Sequence, residues 1–328
     1  MNQFVVITTI HAKSDAIAAF EEHPAWLTVV VGDKKSVPIP SSATLKFLAV
    51  EEQLASEFRL ARQCPFHHYA RKNIGYLDAI HGGAEVIFDT DDDNFPRPEW
   101  ALPAFRCEHG LVSQAKYVNI YSRFTDEFVW PRGFPLDEIR NAGQSPLRIE
   151  RSAAVDIGVW QGLTNGEPDV DALFRLIVNR PVRFSRAGEF YLPPWRFSPI
   201  NSQNSFWQRR AFPYLYLPAT VSFRFTDILR GYVAQRLLWQ DGLHVGVTPA
   251  TVRQCRNPHD LMSDFADEVP MFLHIKEIVA ILESAALGSD PWDNLFVIYD
   301  RLAAARFVGR EEMELLQLWR EAFLQMKR

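Results

Sequence analysis

The sequence predicts an α/β protein: a mostly parallel sheet flanked by helices over residues 1–255, with a helical C-terminal extension over residues 256–328 packed on it. Three observations predict this. β-branched runs alternate with helix-period segments through the first 93 residues, the pattern of a parallel sheet covered by helices on both faces. One strand runs straight into consecutive aspartates, as strands do where an open sheet binds ligand beyond its carboxyl ends. After Arg256 the segments EVPMFLHIKEIVAILESAAL and REEMELLQLWREAFLQM carry apolar stripes at helical spacing.

FVVITTI (Phe4 to Ile10) is a β-branched run and reads as a buried strand. Ser14 or Asp15 caps a helix that runs to about Glu22. LTVVVGD (Leu27 to Asp33) is a second buried strand, the proline-bearing KKSVPIPSS a loop, and LKFLAV a short third strand. EEQLASEFRLARQ reads as one helix with Leu54, Phe58 and Ala61 on a stripe, and HHYARKNIGYLDAIHGG as another, stopped by Gly82-Gly83. AEVIFDTDDDN is the strand that leads into the aspartates. From Asn94 to about Ser198 the pattern is broken and rich in Pro, Arg and aromatics, and a helix follows Asp227. With 35 basic and 40 acidic residues in 328, and no long basic run, a nucleic-acid partner is excluded. Apolar runs fall short of a membrane span, and the opening MNQFVVITTIH does not read as a signal peptide. Cys64, Cys107 and Cys255 make no CxxC pair, which argues against zinc and for reduced thiols in the cytoplasm.

Asp91, Asp92 and Asp93 close the strand VIFDT. Adjacent carboxylates repel one another unless a cation neutralises them, and an oxygen-only donor set suits Mg²⁺ or Mn²⁺. Such an ion bridges carboxylates to a nucleotide diphosphate and stabilises the charge of the leaving diphosphate. A solvated acidic turn, with Asn94 and Pro96 as turn residues, is the plain alternative. The preceding helix shifts the balance. Arg71, Gly75 and Asp78 share one of its faces; Gly75 permits close approach, and Arg71 with Lys72 supplies positive charge for phosphate.

An Arg–Asn–x–Gly helix followed by a strand ending in DxD resembles the nucleotide-sugar half of GT-A glycosyltransferases; here Lys72 is inserted between Arg71 and Asn73. The resemblance implies that Arg71, Asn73 and Asp91 contact the nucleotide, and that Asp33, at the end of the second strand, contacts the nucleoside. RKNIGYLDAIHGGAEVIFDTDDDN also resembles the central motif of the STELLO family of glycosyltransferases. VWPRGFPL, SPINSQNSFW, VSFRFTDILRGYVAQRLLW and NPHDLMSDFADEVP match further family segments in order. The plant members are Golgi membrane proteins with an N-terminal span, and the chain resembles their soluble domain. The family is related to the plant reversibly glycosylated polypeptides, UDP-arabinopyranose mutases whose RGYP-type motif carries a glycosylated arginine. RGFP places Arg132 at that position, with Arg140 following, and DIGVWQGLTNGEPDVDALFRL is similar to a later segment of that relative.

Asp227, in RFTDILRGY, is either a helix N-cap or a carboxylate near the sugar, acting as a base or hydroxyl ligand. Asn201, Gln203 and Asn204 sit in a polar loop, and amides both donate to and accept from hydroxyls. Trp195, Trp207, Tyr214 and Tyr216 flank that loop and suit core packing better than stacking on a sugar. His259 is a candidate third metal ligand beside Asp91 and Asp93; the pair His67-His68 reads as surface. The expectation is a metal-dependent GT-A-type glycosyltransferase with a nucleotide-sugar donor, a UDP-sugar by resemblance, and a glycan, protein or small-molecule acceptor. One alternative is a UDP-sugar mutase or self-glycosylating protein with Arg132 as the transient acceptor. In that setting Arg132 otherwise pairs with the diphosphate or with a neighbour such as Asp137. A second alternative is a non-catalytic nucleotide-sugar-binding scaffold. The amphipathic tail packs on its own domain or on a second copy in a homo-oligomer.

Overall fold

The computed structural model describes residues 2–142, 147–257 and 260–326. The elements are β1 (Gln3–Thr9), α1 (Asp15–Glu21), β2 (Trp26–Gly32), β3 (Leu45–Leu48), α2 (Val50–Ala55), α3 (Leu60–Gln63), α4 (Lys72–His81), β4 (Val86–Thr90), β5 (Asn94–Pro96), β6 (Arg106–Val112), α5 (Ile139–Ala142), β7 (Arg148–Gly166), α6 (Ala172–Ile177), β8 (Phe190–Leu192), β9 (Asn204–Gln208), α7 (Thr226–Gln240), β10 (His244–Gln254), α8 (Leu261–Ser284), α9 (Pro291–Ala304) and α10 (Glu312–Met326).

Among the described residues ten strands form one sheet, in the order β3-β2-β1-β4-β9-β7-β6-β8-β10-β5. The expectation of a mostly parallel sheet is corrected here: the sheet is mixed. β3, β2, β1 and β4 are mutually parallel. β9 then joins β4 and β7 antiparallel, and β6 joins β7 antiparallel. β7 and β10 also pair in parallel, and β10 holds β5 and β8 antiparallel. The reason lies in the connections. Parallel neighbours need a crossover, which α1, the α2–α3 segment and α4 supply around the first four strands. Antiparallel neighbours need no such crossover: of the four links from β5 to β9, those from β5 to β6 and from β8 to β9 hold no α-helix.

The parallel half is buried on both faces. Val5 and Ile7 enter one apolar cluster, Phe4 and Val6 the other, which explains why its strands read as unbroken β-branched runs. α4 lies close on these strands because residue 75 is glycine: a Cβ there would sit 2.6 Å from Val31 Cγ2 and 2.7 Å from Val6 Cγ1. The single helix expected at residues 51–63 is two short ones, since Ser56 is extended and its hydroxyl bonds the Gln53 carbonyl. Phe58 and Ala61 are buried and Leu54 is exposed.

α8, α9 and α10 pack on one another and on α7, α6 and α4. Ile275, Ile278, Leu316 and Trp319 join the same apolar cluster as the inner face of α4. Glu312, wholly buried at the start of α10, accepts from the Ala219 and Thr220 amides, the Thr220 hydroxyl and the Tyr216 hydroxyl. Among the described residues no helix is long and apolar enough to cross a membrane. Cys64, Cys107 and Cys255 are free thiols.

Candidate functional site

A cavity of about 430 Å³ opens beyond the carboxyl ends of β1, β2 and β4. The residues just past each strand form one wall: Thr9 to His11, Asp33, and Asp91 to Asp93. The facing wall comes from distant segments: Arg132, Asp169, Gln203, Arg224, Asp227, Gln254 and Arg256.

On the first wall each carboxylate has a fixed partner. Asp33 accepts from the His67 amide at 2.7 Å and the Lys34 amide at 2.6 Å. Asp91 accepts from the Tyr69 hydroxyl at 2.6 Å and lies 3.6 Å from Lys72 Nζ. Burial pushes its carboxyl up to about 7; the Lys72 charge opposes that rise and the Asp93 charge adds to it. Asp92 accepts from the Thr9 hydroxyl at 2.5 Å, and burial raises its carboxyl too. Asp93 accepts from Gln254 Nε2 at 2.9 Å and from the Asn257 amide at 3.3 Å. The end of β10 is thereby tied to the acidic segment. Behind them the wholly buried Lys72 bridges Asp89 at 2.6 Å and the Thr90 carbonyl at 2.5 Å, while Arg230 meets Asp89 at 3.0 Å.

The second wall is organised by Arg132. Its Nε and Nη2 form a fork on Asp169, at 2.7 and 2.9 Å. Nη2 also meets both oxygens of Asp227, at 3.1 and 2.9 Å, and Nη1 donates to the Arg224 carbonyl. Although burial opposes it, the two carboxylates hold the guanidinium firmly protonated. Burial raises the Asp227 carboxyl, but Arg132, with Arg230 and the Ser202 amide, outweighs it and keeps that carboxyl below its usual range. The Ser202 amide donates to Asp227 at 3.2 Å. Arg224 places Nε and Nη2 on Glu268 of α8, at 3.0 and 2.8 Å. The partner expected for Arg132 among its neighbours, Asp137, bonds Lys276 instead.

Of the residues singled out in the sequence, Asp33, Asp91, Asp93, Arg132, Gln203 and Asp227 line the cavity. Arg71, Asn73, Asn201 and Asn204 do not. Arg71 is buried behind Asp33, bonded to Gln53 and to the Cys64 carbonyl at 2.9 Å, with Phe66 over its guanidinium. Asn73 exchanges two 2.8 Å bonds with the Leu217 backbone. Asn201 pairs with Gln161, and Asn204 spans to the Leu163 carbonyl and Thr251. Arg140 is exposed on α5. His259 lies outside the described residues. Among the described residues no group of three or more His, Cys, Asp or Glu is arranged to hold a metal ion.

His67 is exposed, as expected, His68 is half-buried, and both also line the cavity; His67 adopts a positive φ of 55° and its amide donates to Asp33. Sequence reasoning missed Tyr69, Asp169, Arg224, Gln254, Arg256 and Asn257. Lys72, expected to offer positive charge to phosphate, is instead buried behind the acidic segment on Asp89. The aspartates of GEPDVDALF flag a helix start, which explains Asp171 and only brackets Asp169. For Arg256 the local sequence holds no signal.

No protein-family model matches the chain. It is similar to two curated proteins of Arabidopsis thaliana. One, described as "Probable glycosyltransferase STELLO2", is 28% identical over 306 residues, which span 85% of this chain and 39% of that protein. The other, "Probable glycosyltransferase STELLO1", is 28% identical over 275 residues, 77% of this chain and 35% of that protein. The chain thus spans well under half the length of these relatives.

Proposed function

The chain carries a STELLO-family domain, and on that premise we propose that it is a glycosyltransferase taking its glycosyl group from a nucleotide-sugar, a UDP-sugar, on a GT-A-type sheet. The observation that carries this reading is the acidic segment Asp91–Asp93 at the mouth of a strand, in the same cavity as the buried Arg132–Asp227 pair. Asp33, just past the tip of β2 and held by the His67 amide, suits the nucleoside end. Gln203 and Asp227 suit the sugar end, where amide and carboxylate oxygens take sugar hydroxyls.

Asp91 and Asp93 are the residues that would hold Mn²⁺ or Mg²⁺. The donor set fits: two oxygen-bearing carboxylates are short of a closed cage, and Mg²⁺ in phosphate-handling sites keeps waters and substrate phosphates among its ligands. The raised carboxyl of Asp91, which burial and the Asp93 charge both disfavour as an anion, is relieved by a neighbouring cation. The ion supplies charge neutralisation for a leaving diphosphate.

Asp227 is a poor general base, because Arg132 holds it ionised and strongly paired. Its reading is therefore a rigid acceptor for a sugar hydroxyl, oriented by Arg132 and the Ser202 amide. The mutase alternative needs Arg132 to attack carbon. Its Nε, Nη1 and Nη2 all donate, and two carboxylates hold it protonated, so it is the reverse of an activated nucleophile. A chain acting as a scaffold alone would bind the nucleotide-sugar without turnover. The free thiols are consistent with a cytoplasmic setting.

Incubation with a panel of UDP-sugars and Mn²⁺, followed by nucleotide analysis and intact mass, tests the reading. Release of UDP that EDTA abolishes supports it. Binding without release indicates a scaffold, an isomerised UDP-sugar a mutase, and a mass gain lost in Arg132→Ala a self-glycosylating arginine.

A further inference from the structure

Three arginines crowd one corner of the cavity, and they are not equally served. Arg224 lines the cavity but has both its facing nitrogens on Glu268. Arg175, just behind, donates to the Pro168 carbonyl at 2.9 Å. Burial first, and then the charges of Arg256 and Arg224, push its guanidinium down to about 9. Arg256 lines the cavity with a side chain only 10% exposed. Its buried Nε has no hydrogen-bond partner, and its one carboxylate contact among the described residues is Glu167 Oε2 at 3.5 Å. Glu167 is itself 42% exposed and is shared with Arg175 at 3.9 Å.

A buried guanidinium N–H without a hydrogen bond is costly, because the Nε of Arg256 has left water and found no acceptor. The fold nevertheless holds this one in place. Gln254 and Asn257, two residues before it and one after, are both bonded to Asp93. Arg256 is thereby fixed between the acidic wall and the Arg132–Asp169 pair, at the edge of open space.

We propose that Arg256 is the oxyanion receptor of this cavity, its guanidinium taking phosphate or carboxylate oxygens of the bound substrate. The inference rests on the nucleotide-sugar reading and deepens it. The oxyanion has two sources in such a donor: the distal phosphate, or an acidic group on the transferred sugar. Arg224 adds charge from behind without giving up Glu268. Planar, forked recognition of either group suits arginine and not lysine.

Calorimetry on the full chain with Mn²⁺ tests it, comparing wild type with Arg256→Gln for UMP, UDP, UDP-glucose, UDP-glucuronate and inorganic pyrophosphate. Thermal melting first establishes that the variant is folded. If the distal phosphate is the ligand, wild type prefers UDP over UMP by at least tenfold and the variant loses that preference, with UMP affinity unchanged. If the sugar's acid is the ligand, wild type prefers UDP-glucuronate over UDP-glucose, and the variant loses that preference alone. Arg256→Lys restores only part of either. Preferences identical in wild type and variant overturn the proposal while leaving the donor reading intact. If wild type binds none of the uridine nucleotides, the donor reading fails instead. Pyrophosphate then decides: binding lost in Arg256→Gln upholds an oxyanion receptor, and equal behaviour of the two proteins overturns it.

Discussion

The two walls of the cavity are assembled by opposite routes. The acidic wall stands on the tips of adjacent parallel strands, and its carboxylates accept mainly from uncharged donors: backbone amides at Asp33, the Thr9 hydroxyl at Asp92, and Gln254 with the Asn257 amide at Asp93. The arginine wall has no common scaffold. Arg132 reaches Asp169 across 37 residues and Asp227 across 95, and Arg224 reaches Glu268 across 44. One wall follows from the pairing of neighbouring strands, with β10 tied on at Asp93. The other exists only when four separate segments have docked, so its charges carry folding energy as well as chemistry. Neutralising a charge should therefore cost ligand binding on the first wall and stability on the second.

Arg132→Ala breaks the second wall most severely. It leaves Asp169 and Asp227 buried and unpaired, and removing one partner of a buried ion pair costs about 3–5 kcal/mol. Urea unfolding measures it. Arg132→Lys keeps the charge but loses the fork, and falls between. On the first wall Asp93→Asn should cost less, about 1–2 kcal/mol, since it turns one amide donor toward the Gln254 or Asn257 N–H but strands no buried charge. In calorimetry it should weaken UDP binding with Mn²⁺ by at least tenfold and leave binding in EDTA unchanged. Equal stability losses in Arg132→Ala and Asp93→Asn would erase the distinction between the walls.

Lys72 sharpens the comparison because it belongs to the first wall yet behaves like the second. It is wholly buried between Asp89 and Asp91. Lys72→Met strips Asp91 of its neighbouring cation and leaves Asp89 to Arg230 alone, an expected loss of about 2–4 kcal/mol. Smaller still is Asn73→Ala, at about 2 kcal/mol, which breaks the paired bonds to the Leu217 backbone and leaves its amide and carbonyl without those partners. UDP affinity should not move, since Asn73 is outside the cavity. A tenfold loss of UDP affinity in a folded Asn73→Ala would return this residue to the nucleotide.

What the sequence made legible divides along the same line. Strand tips are visible because a β-branched run and the polar residues that end it are contiguous. Asp33 and Asp91–Asp93 were readable from Leu27–Asp33 and VIFDT alone. Arg71 and Asn73 were visible as residue types, but their targets, Gln53 and Leu217, are packing partners that no local spacing reveals. Arg132 and Asp227 were visible as candidates, whereas Asp169, which joins them, required knowing that β7 ends beside the RGFP loop. The mixed half of the sheet was illegible for a related reason. β9 enters beside β4 from 113 residues further along, as the Thr90 bond to the Gln203 carbonyl marks, and antiparallel insertion over that distance leaves no periodic trace.

The smallest expected effect concerns a carboxylate behind the arginine wall that no arginine serves. Asp171 is wholly buried at the start of α6, accepting from the Phe174 amide at 2.8 Å and from Trp130 Nε1 at 2.6 Å. Burial pushes its carboxyl up to about 6, the nearby Glu268 and Asp169 charges adding to the rise. Its ordinary value in an unfolded chain is about 3.9. Between those values the folded protein holds a proton that the unfolded chain has released, so this group's contribution to stability falls as pH rises from about 4 to about 6. Above that window the ionised group withholds up to about 3 kcal/mol. Asp171→Asn removes the charge and can still cap Phe174, but it turns an amide donor toward the Trp130 N–H, a cost of about 1–3 kcal/mol. The two changes offset near neutrality, so the variant should match wild type within about 1 kcal/mol at pH 7 and fall below it at pH 4.5. Urea unfolding of both proteins across that range checks it. A difference that stays constant with pH would mean that Asp171 is not the carboxyl that titrates, and that the arginine wall balances its acids more completely than the geometry at Trp130 implies.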